Sequence, residues 1–221
     1  MSAQPDPPEL AVPRLDAAWR VDGPLAARPW RSVAATALVR AEDGGAPLQS
    51  TSVRLGWIPD ALFVRFDCQD ARPWATLRRR DAPLWQEEVV ELFLAAGADA
   101  PADYVELEVN PLATLFDARV ANPRLDRSDL RVDLAFDWPG IRWEAGAAAD
   151  GGGWWAAFAL PWSGLPGAAA LARPGTVLRG NLYRIDRPPD GPAEHSAWSP
   201  TFESPADFHR PRRFGRLVLA A

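Results

Sequence analysis

Short runs of alternating apolar and polar residues, each closed by proline or glycine, constrain the fold of this chain most strongly. The 23 prolines and 16 glycines among 221 residues leave little room for long helices. Residues 104–110 alternate without a fault, with Val105, Leu107 and Val109 on one face and polar residues on the other. Similar runs recur along the chain, which favours an all-β fold, a single-domain antiparallel β-sandwich.

The turn signals divide the chain into predicted strands and loops. Predicted strands cover residues 51–55, 61–66, 87–94, 104–110, 130–136, 141–145, 154–160, 177–185 and 214–219. Residues 95–102 and 188–205 are predicted to be loops. The polar, proline-containing start predicts a flexible N-terminal segment over residues 1–18, followed by one domain over residues 19–221.

Charge and the scarcity of some residue types exclude several classes of function. All 24 basic residues are arginine and stand against 29 acidic residues, a net charge of −5, so we expect no nucleic-acid partner. The absence of lysine excludes a Walker-type phosphate loop and Schiff-base chemistry. With Cys68 as the single cysteine and only His195 and His209, disulfides and cysteine- or histidine-rich metal centres are excluded.

The chain shows no targeting signal. Its N-terminus has no basic segment followed by an apolar run, so it does not read as a signal peptide. No window is long and apolar enough for a membrane span, and we expect no membrane partner. On these grounds alone the default location is cytoplasmic.

A stretch near the middle of the chain resembles a known family. Residues 84–93, Leu-Trp-Gln-Glu-Glu-Val-Val-Glu-Leu-Phe, are similar to family 9 carbohydrate-binding modules, which carry a Trp, a short acidic stretch and then Val-Glu-hydrophobic-Phe. The resemblance continues in order through Asp22-Gly23, Trp30, Val53–Trp57, Gly153–Trp155, Pro161-Trp162, Gly180-Asn181, Asp186, Trp198–Pro200, Phe208–Pro211 and Phe214-Gly215. It implies a β-sandwich that binds sugars without catalysis, clamping a ring between two aromatic side chains.

The same resemblance implies roles for individual residues. It assigns the two clamp positions to Trp85 and Phe208, an acidic hydrogen-bonding position to Glu91 and a second polar position to Asn110. Two positions depart from the family pattern. The second clamp residue is Phe rather than Trp, and Glu108 stands where the family has a basic residue. These departures put the specificity of the site, or sugar binding itself, in question.

The residues themselves give physical reasons for some of these roles. Aromatic rings suit the apolar face of a pyranose, and Trp74 is a third candidate platform beside Trp85. Arg210 is a candidate for holding hydroxyls with its guanidinium fork. Glu91 lies among apolar neighbours and needs either an arginine or a ligand hydroxyl as partner. Asn110 precedes a proline and is equally typical of a turn.

Two other functions stay open. Glu106 and Glu108 share a strand face, and Glu87, Glu88 and Glu91 are close in sequence, so either set could supply the acid and base of a glycoside hydrolase. A family member that has lost sugar binding and serves a structural or interaction role is the other alternative.

Cofactor, partner and location follow from the resemblance. It implies no required cofactor but allows structural calcium. Asp67, Asp70, Asp81 and Asp186 lie near predicted loops, yet their spacing matches no calcium-loop motif and assigns no ligands. The implied partner is a carbohydrate, either a mono- or oligosaccharide or a polysaccharide chain end. The implied location is extracellular or periplasmic, in contrast to the cytoplasmic default.

Overall fold

A computed structural model describes residues 4–168, 172–189 and 191–221. Within these ranges the chain consists of strands joined by loops and short 3₁₀ turns. The strands are β1 (Glu9–Val12), β2 (Ala35–Ala37), β3 (Val39–Arg40), β4 (Thr51–Ile58), β5 (Ala61–Gln69), β6 (Val89–Ala96), β7 (Asp103–Val109), β8 (Leu115–Ala121), β9 (Arg131–Asp133), β10 (Arg142–Ala147), β11 (Gly153–Pro161), β12 (Val177–Asp186), β13 (Glu194–Ala197) and β14 (Gly215–Leu219). The 3₁₀ turns are Trp30–Ser32, Leu84–Gln86, Trp162–Gly164 and Pro211–Arg213.

The strands form two sheets. The larger sheet has the order β1-β14-β12-β6-β7-β8-β9, with β13 added beside β12 and β3 beside β13. The smaller sheet has the order β10-β11-β5-β4-β2. Neighbouring strands are antiparallel except β1 and β14, which are parallel. The predicted antiparallel β-sandwich is therefore confirmed.

The main core lies between the sheets and follows from the alternation of side chains. The predicted apolar face of β7, Val105, Leu107 and Val109, packs into this core with residues of the smaller sheet such as Val64 and Phe66. Full burial of an aliphatic or aromatic side chain of this size contributes about 1.5–3 kcal/mol relative to exposure. Two-residue periodicity thus sends the other face of β7, with its glutamates, away from the smaller sheet.

The outer face of the larger sheet, on the side away from the smaller sheet, is partly covered by loops. A second apolar cluster forms there and includes Phe93 and Tyr104 from the strands and Phe208 and Phe214 from the C-terminal part of the chain. The rings of Phe93 and Tyr104 are stacked with centroids 5.5 Å apart. This cover leaves part of the outer face open as a pocket.

Strand β1 lies within the stretch predicted to be flexible. Glu9–Val12 pairs in parallel with Arg216–Leu219 of β14, and the Val12 side chain is fully buried. The pairing satisfies backbone hydrogen-bonding groups, and the burial adds apolar stabilisation. Residues 9–12 therefore form a paired strand inside the segment 1–18 that was predicted to be flexible. The domain range of residues 19–221 stays a prediction.

Four further strands, β2, β3, β8 and β13, lie outside the predicted set. β8 follows a short turn after β7 and pairs with it along its whole length. β13 occupies part of the predicted loop 188–205, because its four residues pair with the end of β12. The stability of β8 and β13 depends on pairing with a neighbouring strand more than on a long apolar run of their own.

Candidate functional site

A pocket of about 420 Å³ opens on the outer face of the larger sheet. It is bounded by the turn before β6, strands β6 to β8 and the loop before β14. Three of the predicted site residues, Trp85, Glu91 and Phe208, line this pocket together. Phe208 is separated from the other two by more than a hundred residues of chain and meets them only because the loop that carries it folds over the sheet.

Three carboxyl groups form the floor of the pocket, which we call the carboxyl floor. Glu91 on β6 is the register partner of Glu108 on β7, and Glu106 lies two residues earlier on the same face. One oxygen from each of the three lies within 4.8 Å of the others. The exposed fractions of Glu91, Glu106 and Glu108 are only 2%, 5% and 0%. The strand register therefore gathers three acidic groups in a buried position.

The carboxyl floor lacks the donors that buried carboxylates ordinarily have. Glu91 Oε1 and both carboxyl oxygens of Glu108 are buried and accept no hydrogen bond from the described residues. Burial, followed by the charge of Glu106, raises the pKa of Glu91 well above its usual range. Burial and then the charges of Glu91 and Glu106 do the same for the pKa of Glu108. Both shifts favour the protonated form of the carboxyl group in the unliganded protein.

Glu106 behaves differently from its two neighbours. Burial raises its pKa to about 7, while the adjacent carboxyl group of Glu108 and the charge of Arg127 pull the pKa down. The backbone N–H of Trp85 lowers the pKa of Glu108 without forming a hydrogen bond of ordinary geometry. The pKa values of all three groups are therefore raised, and the charge on one of them raises the pKa of a neighbour.

The two predicted clamp residues offer unequal ring surfaces. The Trp85 side chain is 43% exposed and contacts Phe116 edge-on, with ring centroids 5.5 Å apart. Phe208 is only 8% exposed, and its ring is stacked on Tyr183 with centroids 4.0 Å apart. Since Tyr183 covers one face of the Phe208 ring, Trp85 provides the larger free aromatic platform.

Basic groups at the pocket edge were not assigned from the sequence. Arg127 lines the pocket, and its Nη1 forms an ion pair with Asp207 at 2.9 Å. Arg187 also lines the pocket and lies 3.5 Å from the backbone oxygen of Trp85. These arginines come from loops distant in sequence, and no local pattern distinguishes them from other solvated arginines.

Asn110 does not line the pocket. Its Nδ2 donates to the backbone oxygen of Leu77 at 2.8 Å, and its Oδ1 accepts hydrogen bonds from the N–H groups of Leu112 and Thr114. The side chain is fully buried and holds the turn between β7 and β8. This arrangement matches the turn interpretation that the sequence left open.

Trp74 and Arg210 also lie outside the pocket lining. Trp74 Nε1 donates to the backbone oxygen of Arg187. Arg210 Nε lies 3.1 Å from Asp207 and 3.3 Å from Glu203, and its Nη1 donates to the backbone oxygen of Asp126. Both side chains are engaged with the protein, so the structure offers no contact between them and a ligand in this pocket.

A second acidic group lies at one end of the core. Arg184 Nη2 is 2.9 Å from both Asp70 and Glu88 and 3.6 Å from Asp186, and all four residues are buried. We call these four residues the arginine cluster. The guanidinium supplies the positive charge that a calcium ion would supply, so these carboxylates do not fit a calcium site.

The remaining calcium candidates named from the sequence are also paired with arginine. Asp67 binds Arg54 and Arg65 at 2.6 and 2.8 Å. Asp81 lies 3.8 Å from Arg80 Nε. The structure therefore provides no calcium ligand set from the four aspartates considered.

Taken together, a two-sheet β-sandwich with an exposed tryptophan beside buried carboxyl groups has the architecture of a carbohydrate-binding module. The sequence model of carbohydrate-binding family 9 matches residues 47–219. The chain belongs to carbohydrate-binding family 9, and the resemblance drawn from residues 84–93 is confirmed.

Solved structures of low sequence identity share the fold. A candidate carbohydrate-binding protein from Bacteroides uniformis ATCC 8492 superposes with a TM-score of 0.71 at 16% identity, covering 96% of this chain and 99% of that one. A family 9 module from Caldicellulosiruptor kristjanssonii was solved with cellotriose, with a TM-score of 0.63 at 13% identity and coverage of 96% and 94%. The structure of the same module with glucose superposes with a TM-score of 0.62 at 13% identity, covering 96% of each chain.

A curated relative matches part of the chain. It is named "Extracellular protein" and comes from Arthroderma benhamiae (strain ATCC MYA-4681 / CBS 112371), with 29% identity over 85 residues. The match spans 38% of this chain and 38% of the relative. Among the described residues, no helix has the length and apolar character needed to cross a bilayer.

Proposed function

We propose that the protein binds carbohydrate without catalysis and holds one sugar ring in the pocket on the outer face of the larger sheet. Trp85 is the main platform, Phe208 the opposite wall and Glu91 the hydrogen-bonding partner of a sugar hydroxyl. The observation that carries the proposal is an exposed Trp85 beside a buried Glu91 whose Oε1 has no donor. Family membership and the sugar complexes of the similar structures support it.

The chemistry of the pocket suits a sugar. An exposed indole offers an apolar surface for the C–H face of a pyranose, and burying it against a ring is favourable. A buried carboxyl oxygen without a donor costs free energy that a ligand hydroxyl recovers. The volume of about 420 Å³ is within the range of small-molecule sites. No cofactor is needed for binding of this kind.

The geometry argues against the glycoside hydrolase alternative. The carboxyl groups of retaining glycosidases are about 5–5.5 Å apart and those of inverting enzymes about 6.5–9.5 Å apart. In the carboxyl floor the nearest oxygens of all three residues lie within 4.8 Å of one another, and they lie on one side of the pocket. This placement favours binding of a sugar over cleavage of a glycosidic bond.

Calorimetric titration with glucose, cellobiose and a panel of other mono- and disaccharides tests the proposal. We expect weak but measurable binding by the wild type. For Trp85→Ala we expect an affinity that is lower by about tenfold or by a larger factor, because a stacking platform is lost. Leu48→Ala is the matched control, since Leu48 is 90% exposed and remote in sequence from the lining residues.

Two results would overturn the proposal. One is the absence of sugar binding at millimolar concentration, which favours the structural or interaction role. The other is unchanged affinity of Trp85→Ala, which would move the site elsewhere. Release of reducing sugar from polysaccharides, lost in Glu106→Gln, would instead revive the enzymatic alternative.

We also propose an extracellular location. The support is the partial match to a relative named as extracellular and the membership of a family that binds carbohydrate. Immunodetection in the culture medium and in washed cells of the source organism tests it, and recovery only from the cell lysate would contradict it.

A further inference from the structure

The carboxyl floor holds more acidic groups than recognition of one neutral sugar requires. A hydroxyl donates one hydrogen bond, yet Glu91 Oε1 and both oxygens of Glu108 are buried without a donor. Both side chains line the pocket and are at least 98% buried. A group with several N–H donors and a positive charge would match this floor better than a hydroxyl.

Within the described part of the chain, no cation is in direct contact with the carboxyl floor. Among the described residues, no arginine forms an ion pair with Glu91, Glu106 or Glu108. Arg127 is committed to Asp207 at 2.9 Å, and Arg187 is directed at the backbone oxygen of Trp85. A ligand with N–H donors therefore meets buried carboxyl oxygens that no described arginine already occupies.

We propose that the pocket is specific for an amino sugar, a pyranose that carries a free primary ammonium group. The inference rests on the proposed function and names the substrate class of that site. The ammonium has three N–H donors, which match the three buried oxygens of Glu91 and Glu108 that have none. The sugar ring then lies against Trp85.

The walls of the pocket favour an ammonium over other positive charges. The aromatic rings of Trp85, Phe93 and Phe116 line the same pocket, and ring faces attract a desolvated ammonium. A calcium ion takes about 6–8 oxygen ligands. Around the carboxyl floor the lining is largely aromatic, aliphatic or basic, which supplies few further oxygens. A sugar carboxylate or sulfate offers acceptors rather than donors, so it would leave the buried oxygens of the floor without hydrogen bonds.

Proton balance gives the inference a separate signature. The raised pKa values of the carboxyl floor favour its protonated form, whereas an ammonium favours ionised carboxylates. We therefore expect binding of an ammonium to release protons to the solvent while the amine keeps its own. A neutral sugar produces no such release. The other titratable or charged groups around the floor are Tyr104, Arg127, Arg187, His195, Asp207 and His209.

The test is calorimetric titration of the full chain with glucosamine, glucose and N-acetylglucosamine at about pH 7 in buffers of different ionisation enthalpy. We expect glucosamine to bind more tightly than glucose by about tenfold or by a larger factor. Proton release should be seen only for glucosamine. In Glu108→Gln this preference should fall to about twofold or less, because one carboxylate is lost. Glu9→Gln, which removes an exposed acid on β1, is the matched control and should keep the preference.

The outcomes separate the inference from the proposed function. Equal affinity for the amino and neutral sugars, or a preference that survives Glu108→Gln, would overturn the inference while sugar binding stands. Binding of neutral sugars that requires added calcium chloride would overturn it in favour of a metal. Failure of all three sugars would overturn the proposed function itself. If Glu108→Gln does not fold by circular dichroism, Glu106→Gln serves as the second variant with the same expected loss.

Discussion

Two buried acidic groups lie on opposite faces of the larger sheet and differ in how their charge is balanced. In the arginine cluster, Arg184 lies on the face of β12 that points toward the smaller sheet and binds three carboxylates directly. Trp154 adds a hydrogen bond to Glu88 at 2.7 Å. In the carboxyl floor, on the outer face, Glu108 has neither an arginine nor an ordinary hydrogen bond.

The difference reflects what can reach each position. The space between two packed sheets is closed to ligands, so a charge there must be balanced within the protein. The outer face opens into a pocket, where a ligand can complete the hydrogen bonds and the charge. Buried carboxyl groups without partners are thus compatible with a stable fold at a binding site. Protonation lowers the free-energy cost of burying them while no ligand is bound.

Removing the cation of the arginine cluster should have the largest effect on stability. Arg184→Met leaves Asp70, Glu88 and Asp186 without their common partner, and we expect the free energy of unfolding to fall by about 3–5 kcal/mol. Urea denaturation followed by circular dichroism measures this loss. Arg216→Met is the matched control, because the Arg216–Glu9 pair is solvent-exposed and should contribute about 0–1 kcal/mol. Equal losses in the two variants would contradict the comparison.

Neutralising one group of the carboxyl floor should raise the free energy of unfolding rather than lower it. The ordinary pKa of a glutamate is 4.5, and that of Glu108 is raised in the folded protein. Above this ordinary value the unfolded chain has released a proton that the folded protein keeps, so the contribution of Glu108 to stability falls as pH rises. Glu108→Gln removes this dependence. We expect the variant to be near wild-type stability at about pH 5 and more stable by about 1–2 kcal/mol at about pH 8.

The difference in free energy of unfolding between the wild type and Glu108→Gln removes the contribution of a group that titrates in the same way in both proteins. Burial lowers the pKa of His209 to about 4, so His209 makes the folded protein more stable as pH rises through the range above 4, in the opposite direction. This effect is common to wild type and variant and cancels in the difference. Urea denaturation of both proteins at the two pH values measures it, and a difference that does not change with pH would show that Glu108 is ionised in the folded protein.

The smallest effect on stability is expected at the pocket tryptophan. Trp85→Ala should lower the free energy of unfolding by less than about 1 kcal/mol, because the side chain is 43% exposed and packs edge-on against Phe116. Trp154→Ala, which removes a buried donor to the arginine cluster, should cost about 3–5 kcal/mol. Thermal unfolding of both variants tests this, and similar losses would make Trp85 a packing residue.

The strand faces could be predicted from local sequence. Alternation in β6 and β7 placed Val105, Leu107 and Val109 on one face, and the sandwich core contains that face. It also placed Glu91 among apolar neighbours, which predicted a buried carboxyl in need of a partner. The strands that were not predicted are stabilised by pairing with a neighbour, and local alternation reports such pairing poorly. They are β1, β2, β3, β8 and β13.

The composition of the pocket was harder to predict. Trp85, Glu91 and Phe208 were named from the family resemblance and line one pocket, but Asn110 is engaged in a turn, and Trp74 and Arg210 are bound to other parts of the chain. Which polar side chains face a pocket depends on the loops that cover the sheet, and a single sequence contains no local signal for it.

By itself, the sequence determined the class of fold, the face on which each main strand carries its polar residues, and the complete reliance on arginine for positive charge. The register of β6 against β7 brought Glu91 beside Glu108, and tertiary packing placed Arg184 on the opposite face of the same sheet. The physical reason is that side-chain alternation is a property of one strand, whereas the partner of a buried charge is set by contacts between distant segments.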